Sequence, residues 1–135
     1  MPTKQPLWRI EIGTLEDIDV FGIKKEDYIL SLAIILHISK QEIEIKELIT
    51  RKDYRHKGFG TKLLKQLVEN YKQKYKNMLV GTTENNIPYY VKQGFDKYEK
   101  NIKNFFIENY KEEIIDRDTK CIDIYYYSKD LSKKM

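Results

Sequence analysis

The stretch Tyr54-Arg55-His56-Lys57-Gly58-Phe59-Gly60-Thr61-Lys62-Leu63-Leu64 decides how the chain folds, because it connects a strand-like run to an amphipathic helix. Glycines at the start of a helix let the backbone approach a ligand closely and turn several N–H groups toward one point. Those N–H groups, together with the helix dipole, make a site for phosphate oxygens. Arg55 and Lys57 add positive charge there, and Thr61 adds a hydroxyl. The stretch therefore predicts a phosphate-bearing ligand at this helix start.

The residues that flank this stretch predict strands before it and a helix after it. Residues 28–39 form a long apolar run, and residues 43–50 alternate between apolar and charged side chains, as strands do. After the stretch, apolar side chains recur at spacings of three and four and form the stripe of an amphipathic helix: Leu63, Leu64, Leu67, Val68, Tyr71 and Tyr75.

The rest of the chain continues the alternation of strands and helices. Pro88 suits the first turn of a second helix, with Asn86 as its cap and Gly94 as its C-terminal glycine. Residues 101–110 are interpreted as a short helix or loop. The other predicted strands are residues 7–12, 20–23 and 78–82, one that begins at Phe95, and residues 121–127. This order predicts a mixed α/β or α+β structure around one sheet, and the length predicts a single domain, residues 1–135.

Two common phosphate-binding motifs do not fit the glycine spacing. A Walker A loop requires GxxxxGK[ST], whereas this chain has Gly58-Phe59-Gly60-Thr61-Lys62. A dinucleotide-binding fingerprint requires a third glycine, and the chain has Leu63 at that position. The pattern that remains is R-x-x-G-x-G, from Arg55 to Gly60.

This pattern resembles the acetyl-CoA-binding motif Q/R-x-x-G-x-G/A of the GNAT acetyltransferase family. A second segment, from Leu79 to Phe95, is similar to the family's second block: a strand, an Asn-bearing loop and a helix ending Y-x-x-x-G-F. Residues 103–123 resemble a bacterial subgroup of uncharacterised acetyltransferases with an FF-x-x-N-Y segment. The resemblance extends from Tyr28 to Leu131 and implies an N-acetyltransferase of α/β (α+β) class. The implied fold is a mixed central sheet with helices on both faces, here with a shortened N-terminal region.

The resemblance also implies acetyl-CoA as co-substrate and a set of residues that bind it. In the family, the amides of the glycine loop hold the CoA pyrophosphate, and a backbone N–H on the preceding strand polarises the thioester carbonyl. Here that N–H would belong to Leu48, Ile49 or Thr50. Pantetheine would contact an asparagine, for which Asn86 is the candidate, and Tyr90. The loop residues implied are Arg55, His56, Lys57, Gly58, Phe59, Gly60 and Thr61.

Three side chains are candidates for the chemistry of transfer from a thioester to an amine. Tyr90 matches the family tyrosine that protonates the departing thiolate, and simple packing is the other interpretation of this residue. Glu44 lies at the position of a family glutamate and would deprotonate the amine directly or through water. Glu47 is the second base candidate, although a regular strand would turn it to the opposite side from Glu44. An exposed glutamate on a strand is most often only solvated.

The charge distribution bears on the acceptor. Residues 51–76 contain nine Lys or Arg against two acids, and residues 11–47 contain nine acids against four Lys. This pairing suits an anionic cofactor beside a cationic acceptor, although lysine-rich helix faces are usually just solvated. The acceptor is expected to be a small-molecule or peptidic amine, with aminoglycosides, polyamines, amino acids and protein N-termini all left open.

Several classes of function are not expected. The basic segment lacks interleaved aromatic residues and any nucleic-acid reader motif. The longest apolar run is too short to span a bilayer, and the N-terminus does not resemble a secretory signal, so we expect a cytoplasmic location without membrane binding. The single cysteine, Cys121, cannot form an intrachain disulfide or a zinc site, and no metal is expected. An open sheet edge beside the short N-terminal region would suit a homodimer.

One alternative belongs to a different class: a catalytically silent CoA-binding or sensory domain. The short N-terminal region favours it, because the elements that usually line the acceptor pocket would be missing.

Overall fold

The computed structural model describes residues 17–132 and the backbone of residues 7–9. Its strands are β1 (Leu7–Arg9), β2 (Ile18–Lys25), β3 (Tyr28–His37), β4 (Glu42–Thr50), β5 (Asn77–Thr82), β6 (Lys97–Ile102), β7 (Ile115–Asp116), β8 (Thr119–Lys120) and β9 (Ile124–Asp130). Its helices are α1 (Phe59–Tyr71), α2 (Ile87–Lys92) and α3 (Phe105–Asn109), with 3-10 turns at Lys52–Tyr54 and Glu84–Asn86. No helix among residues 17–132 has the length and apolar character needed to cross a membrane.

Seven strands form one mixed sheet in the order β1-β2-β3-β4-β5-β9-β6, while β7 and β8 form a separate hairpin. Among the strands that the structure describes, only β4 and β5 pair in parallel, and α1 makes the crossover between them. The mixed single sheet expected from the sequence is therefore confirmed. Of the predicted strand 7–12, residues 7–9 are strand and the others lie outside the described residues.

Helices α1 and α2 pack on the same side of the sheet, which we call the helix face. The apolar stripe of α1 is buried on strand residues that point to this face, among them Ile43, Ile45, Met78 and Val80. Helix α2 lies on the same side, because Tyr89 and Tyr90 contact this core. Full burial of one such aliphatic side chain stabilises the fold by about 1.5–3 kcal/mol.

The opposite side of the sheet, here the second face, carries much less helix. It is formed by the alternate strand residues, among them Leu36, Glu44, Leu79 and Tyr126. The short helix α3 lies beside it, and Phe105 and Phe106 line a cleft together with Gly81 and Ile124. Helices were expected on both faces of the sheet. The structure has two packed helices on one face and only a five-residue helix at the rim of the other.

A β-bulge in β4 changes which side chains share a face. Ile45 pairs with Ile35 and Glu47 pairs with Ile34, which leaves Lys46 as an extra residue. An extra residue reverses the side-chain alternation beyond it. Because Glu44 pairs with Leu36, Glu44 and Glu47 both belong to the second face. The prediction that Glu47 turns away from Glu44 assumed a regular strand and is wrong.

Two strand boundaries also differ from the sequence predictions. Phe95 does not begin a strand: Gly94, at φ +97°, turns the chain so that Phe95 is fully buried in the core. The last strand begins at Ile124 rather than at Cys121, because the N–H of Cys121 donates to the carbonyl of Ile114 and extends the β7–β8 hairpin. Alternating apolar side chains do not distinguish a hairpin stem from a sheet strand.

Candidate active site

The candidate site is a cleft that opens where β4 and β5 separate. Their parallel pairing runs from Glu42 with Asn77 to Ile45 with Val80 and then stops. Beyond this point the N–H groups of β4 that point toward the gap have no partner on β5. The cleft there encloses about 230 Å³. Its lining comes from β4, β5, α2, α3 and the residues around them: Ile45, Lys46, Glu47, Leu48, Val80, Gly81, Thr82, Thr83, Asn86, Tyr90, Phe105, Phe106, Tyr110 and Ile124.

The glycine stretch forms a tight loop at the start of α1. Gly58 adopts φ +84° and precedes the first helical residue, Phe59. The first N–H bonded within the helix is that of Lys62, which donates to the carbonyl of Gly58. The N–H groups of residues 59–61 therefore precede the helix's own hydrogen-bond ladder, as at any helix start. They are available to an anion, and α1 has no acidic residue in its first turn.

The charged side chains of the loop are partly used within the loop itself. Arg55 Nε donates to the carbonyl of Thr50 at 3.2 Å, which ties the loop to the end of β4. The ammonium of Lys57 lies 5.5 Å from the ring centroid of Tyr54. His56 adopts φ +63°, an uncommon conformation for a residue other than glycine. All three side chains are exposed, so their remaining donors can reach a ligand.

The start of α1 is joined to α2 by a hydrogen bond that the sequence did not predict. Thr61 Oγ1 lies 2.7 Å from the hydroxyl of Tyr89. The Thr61 hydroxyl, expected as a phosphate ligand, is thus already engaged by a tyrosine. The bond fixes the neighbouring Tyr90 relative to the loop, because both tyrosines belong to one short helix.

Tyr90 lies in the cleft, where its ring packs edge-on against Phe95 at 5.8 Å between centroids. Burial raises the pKa of the Tyr90 phenol above its usual range, and Tyr89 and the Glu47 carboxylate raise this pKa further. The phenol therefore keeps its proton at neutral pH, which is the form that a proton donor requires.

The two candidate bases differ in position. Glu47 is exposed and lines the cleft, and its charge acts on Tyr90. Glu44 is not among the lining residues and lies near Lys46, Lys100 and Tyr126. Burial raises the pKa of the Glu44 carboxyl, and the two lysines oppose that shift.

Replacing Glu44 by glutamine is expected to stabilise the fold at neutral pH. Because the pKa of Glu44 is higher in the folded protein, the folded state holds this proton more tightly than the unfolded chain. The stability of the wild-type protein therefore falls as pH rises through this titration above pH 4.5. Glutamine carries no charge, so the free energy of unfolding of Glu44→Gln should exceed that of wild type at pH 7. Urea denaturation at pH 7 and pH 4 measures the free energy of unfolding of both proteins. If Glu44→Gln were stabilised equally at the two pH values, the raised pKa of Glu44 would be contradicted.

Asn86 is held by the β7–β8 hairpin. Its Nδ2 donates to Thr83 Oγ1 at 3.2 Å, and its Oδ1 accepts from Arg117 Nη2 at 2.7 Å. It occupies the N-cap position of α2, as predicted, but its side chain makes no hydrogen bond to the N–H groups of the first turn. The predicted position is confirmed, and the predicted capping bond is wrong. Asp116 also accepts from Thr83 and Asn86, at 3.2 and 3.4 Å. The hairpin thereby positions the loop before α2.

Of the other predicted cofactor residues, Leu48 lines the cleft, whereas Ile49 and Thr50 do not. Thr50 Oγ1 lies 2.9 Å from Ser31 Oγ, under the glycine loop. Sequence reasoning missed Phe105, Phe106 and Tyr110, which line the cleft. They belong to the FF-x-x-N-Y segment, whose adjacent aromatic residues were the available signal. No group of side chains suited to hold a metal ion occurs within residues 17–132.

Comparisons with known proteins agree with this fold. The sequence profile described as "Acetyltransferase (GNAT) domain" matches residues 16–97. A GNAT family acetyltransferase from Elizabethkingia anophelis, solved with acetyl-CoA bound, has a TM-score of 0.80 at 18% identity, covering 96% of this chain and 99% of that one. A Bacillus subtilis acetyltransferase in complex with CoA has a TM-score of 0.73 at 22% identity, covering 86% and 78%. The IAA acetyltransferase from Bacillus cereus has a TM-score of 0.74 at 20% identity, covering 85% and 79%. No curated protein sequence matches the chain.

Proposed function

Because the chain belongs to the GNAT acetyltransferase family, we propose that it transfers an acetyl group from acetyl-CoA to a primary amine by direct attack. One observation carries this proposal: a single cleft contains both Tyr90, on the helix face beside the glycine loop, and Glu47, on the second face. A proton donor for the leaving thiolate and a base for the amine thus line the same gap between β4 and β5.

In this proposal acetyl-CoA enters from the helix face. The amides of residues 56–61 bind the diphosphate at the start of α1, with Arg55 and Lys57 adding charge. The pantetheine arm follows the gap past Asn86 and Tyr90, and an N–H between Leu48 and Thr50 polarises the thioester carbonyl. The similarity to a chain of nearly equal extent that was solved with acetyl-CoA bound supports this placement.

The proposed acetyl transfer takes place in the cleft in three steps. The neutral amine nitrogen attacks the thioester carbon, and the resulting oxyanion is stabilised by the backbone N–H of β4. The C–S bond then breaks, and the sulfur takes the proton of Tyr90. Glu47, directly or through water, accepts the proton that the nitrogen loses. Glu44 lies on the same face as Glu47 but does not line the cleft. It is therefore assigned no direct part in the proton transfer.

Replacing Glu47 by glutamine tests this assignment. General-base catalysis typically contributes 100-fold or more, so kcat/KM for the amine should fall by roughly 100-fold at pH 7. Affinity for acetyl-CoA should remain, because Glu47 lies on the opposite face from the loop. The readout is release of the CoA thiol with a panel of primary amines, with mass spectrometry of the acetylated product.

Glu44→Gln is the matched control, since it makes the same chemical change on the same face of β4. It should retain most of the activity. A large loss in Glu44→Gln with little loss in Glu47→Gln would transfer the role of base to Glu44. CoA binding without thiol release for any amine would favour the silent CoA-binding domain.

The proposal includes a cytoplasmic location in a bacterium. Acetyl-CoA is an intracellular metabolite, Cys121 is a free, buried thiol, and the similar structures come from bacteria. The homodimer and the lack of nucleic-acid binding stay predictions.

A further inference from the structure

The cleft is asymmetric in its chemistry. On the helix face its lining includes the polar groups of Thr83, Asn86 and Tyr90. On the second face, beyond Glu47, the wall is built by three aromatic side chains: Phe105, Phe106 and Tyr110. The acceptor meets this aromatic wall if the cofactor occupies the helix face, as in the proposed function.

The aromatic wall is a built surface. The rings of Phe106 and Tyr110 stack with 5.9 Å between centroids and 20° between planes, and Phe105 meets Phe106 edge-on at 5.1 Å. The N–H of Phe106 donates to the carbonyl of Ile122, and the N–H of Asn104 donates to Asp123 Oδ1 at 2.9 Å. Both bonds hold the backbone of α3 to the segment before β9.

The wall is also exposed to solvent at its outer end. Tyr110 is 48% exposed although it lines the cleft. Large apolar surfaces left open to water commonly mark sites that a ligand or partner covers. An apolar group that passes through the cleft mouth would be removed from water by these rings.

The charges of the lining limit the acceptor further. Among the described lining residues, Glu47 is the only negatively charged side chain and Lys46 is the only positively charged one. A polyamine or an aminoglycoside carries several positive charges and would need several carboxylates beside it. One carboxylate matches one ammonium group, and ring faces attract that ammonium as well.

We propose that the acceptor is a monoamine carried on an apolar body, an arylalkyl or alkyl primary amine. Its nitrogen is bound at Glu47 and loses the ammonium proton to solvent before the attack, so Glu47 accepts only the proton that the nitrogen loses on forming the amide, and its apolar body lies against the aromatic wall. This assignment rests on the proposed function and narrows the acceptors left open by the sequence.

The experiment compares kcat/KM for four amines at fixed acetyl-CoA: 2-phenylethylamine, ethylamine, spermidine and kanamycin. Ethylamine has the reacting group without the apolar body. We expect 2-phenylethylamine to exceed ethylamine by at least about tenfold, the size of effect that an apolar pocket typically gives, and to exceed both polycations.

Two variants test the wall itself. Phe106→Ala and Tyr110→Ala should each remove most of the preference for 2-phenylethylamine over ethylamine, with KM for acetyl-CoA unchanged. Tyr110 is half exposed, so its variant tests the wall even if Phe106→Ala fails to fold. Ile107→Ala is the matched control, because Ile107 belongs to the same helix, is 51% exposed and does not line the cleft. It should keep the preference.

Calorimetry supplies a readout independent of turnover: 2-phenylethylamine should bind the CoA-loaded protein, and more weakly in both wall variants. Equal kcat/KM for 2-phenylethylamine and ethylamine, or a preference for spermidine or kanamycin, would overturn the acceptor class while leaving acetyl transfer intact. If 2-phenylethylamine were neither acetylated nor bound in calorimetry, the proposed acceptor class would be overturned as well. Failure of CoA itself to bind would reject the proposed function.

Discussion

Replacing Tyr90 by phenylalanine is expected to lower kcat by roughly 100- to 1,000-fold, the usual contribution of a positioned general acid. The phenol lies in the cleft, and burial raises its pKa, so the wild-type side chain carries a proton for the leaving thiolate. Phenylalanine keeps the edge-on packing against Phe95 and removes only that proton. Single-turnover thiol release with saturating acetyl-CoA measures the effect on chemistry, and calorimetry should show unchanged CoA binding.

The pH dependence of kcat follows from the direction of the same shift. Because the pKa of Tyr90 is raised, loss of its proton should not reduce kcat at any pH below about 10, the usual tyrosine value. A decrease of kcat in the wild type that begins below about pH 10 and disappears in Tyr90→Phe would contradict the raised pKa.

Tyr89→Phe is the matched control, since it removes one hydroxyl from the adjacent residue. It breaks the bond to Thr61, and a hydrogen bond contributes about 0.5–1.5 kcal/mol net. KM for acetyl-CoA should therefore rise by no more than about tenfold, with a much smaller change in kcat than in Tyr90→Phe. Equal losses of kcat in the two variants would show that Tyr90 acts through packing.

Replacing Gly58 by valine is expected to weaken CoA binding by roughly 10- to 100-fold. Gly58 has φ +84°, a conformation that costs other residues about 1–3 kcal/mol. A Cβ atom at this position meets no atom within 4 Å other than those of its two chain neighbours. It projects into open space beside the amides assigned to the diphosphate, so the loss arises from a distorted loop and an obstructed ligand rather than from a clash within the protein.

Gly58→Asn separates these two causes. Asparagine tolerates the left-handed conformation better than valine does, but it still adds a side chain. An affinity between those of wild type and Gly58→Val is expected, with thermal unfolding measured in parallel to confirm that both variants fold. Wild-type CoA affinity in Gly58→Val would exclude the loop as the diphosphate site.

The sequence predicted the fold more completely than the site. The stripe of α1 follows from residue spacing over a few turns and the mixed sheet follows from the order of the elements, and the structure confirms both. The candidate bases were both named, but the prediction that they face opposite sides of the strand was wrong. Their relation depends on the bulge at Lys46, which is defined by pairing with Ile34 and Ile35 more than ten residues earlier. Nothing in the local pattern of residues 42–50 shows where the partner strand skips a residue.

The sequence by itself determined the glycine loop, because backbone conformation at a helix start depends on the residues present there. It also determined the fold class, through the order of apolar runs. Only the tertiary structure decided that Tyr89 engages Thr61, that Glu47 rather than Glu44 reaches the cleft, and that α3 supplies an aromatic wall. These are contacts between segments far apart in the chain, and they depend on cross-strand register and helix placement, which local spacing does not encode.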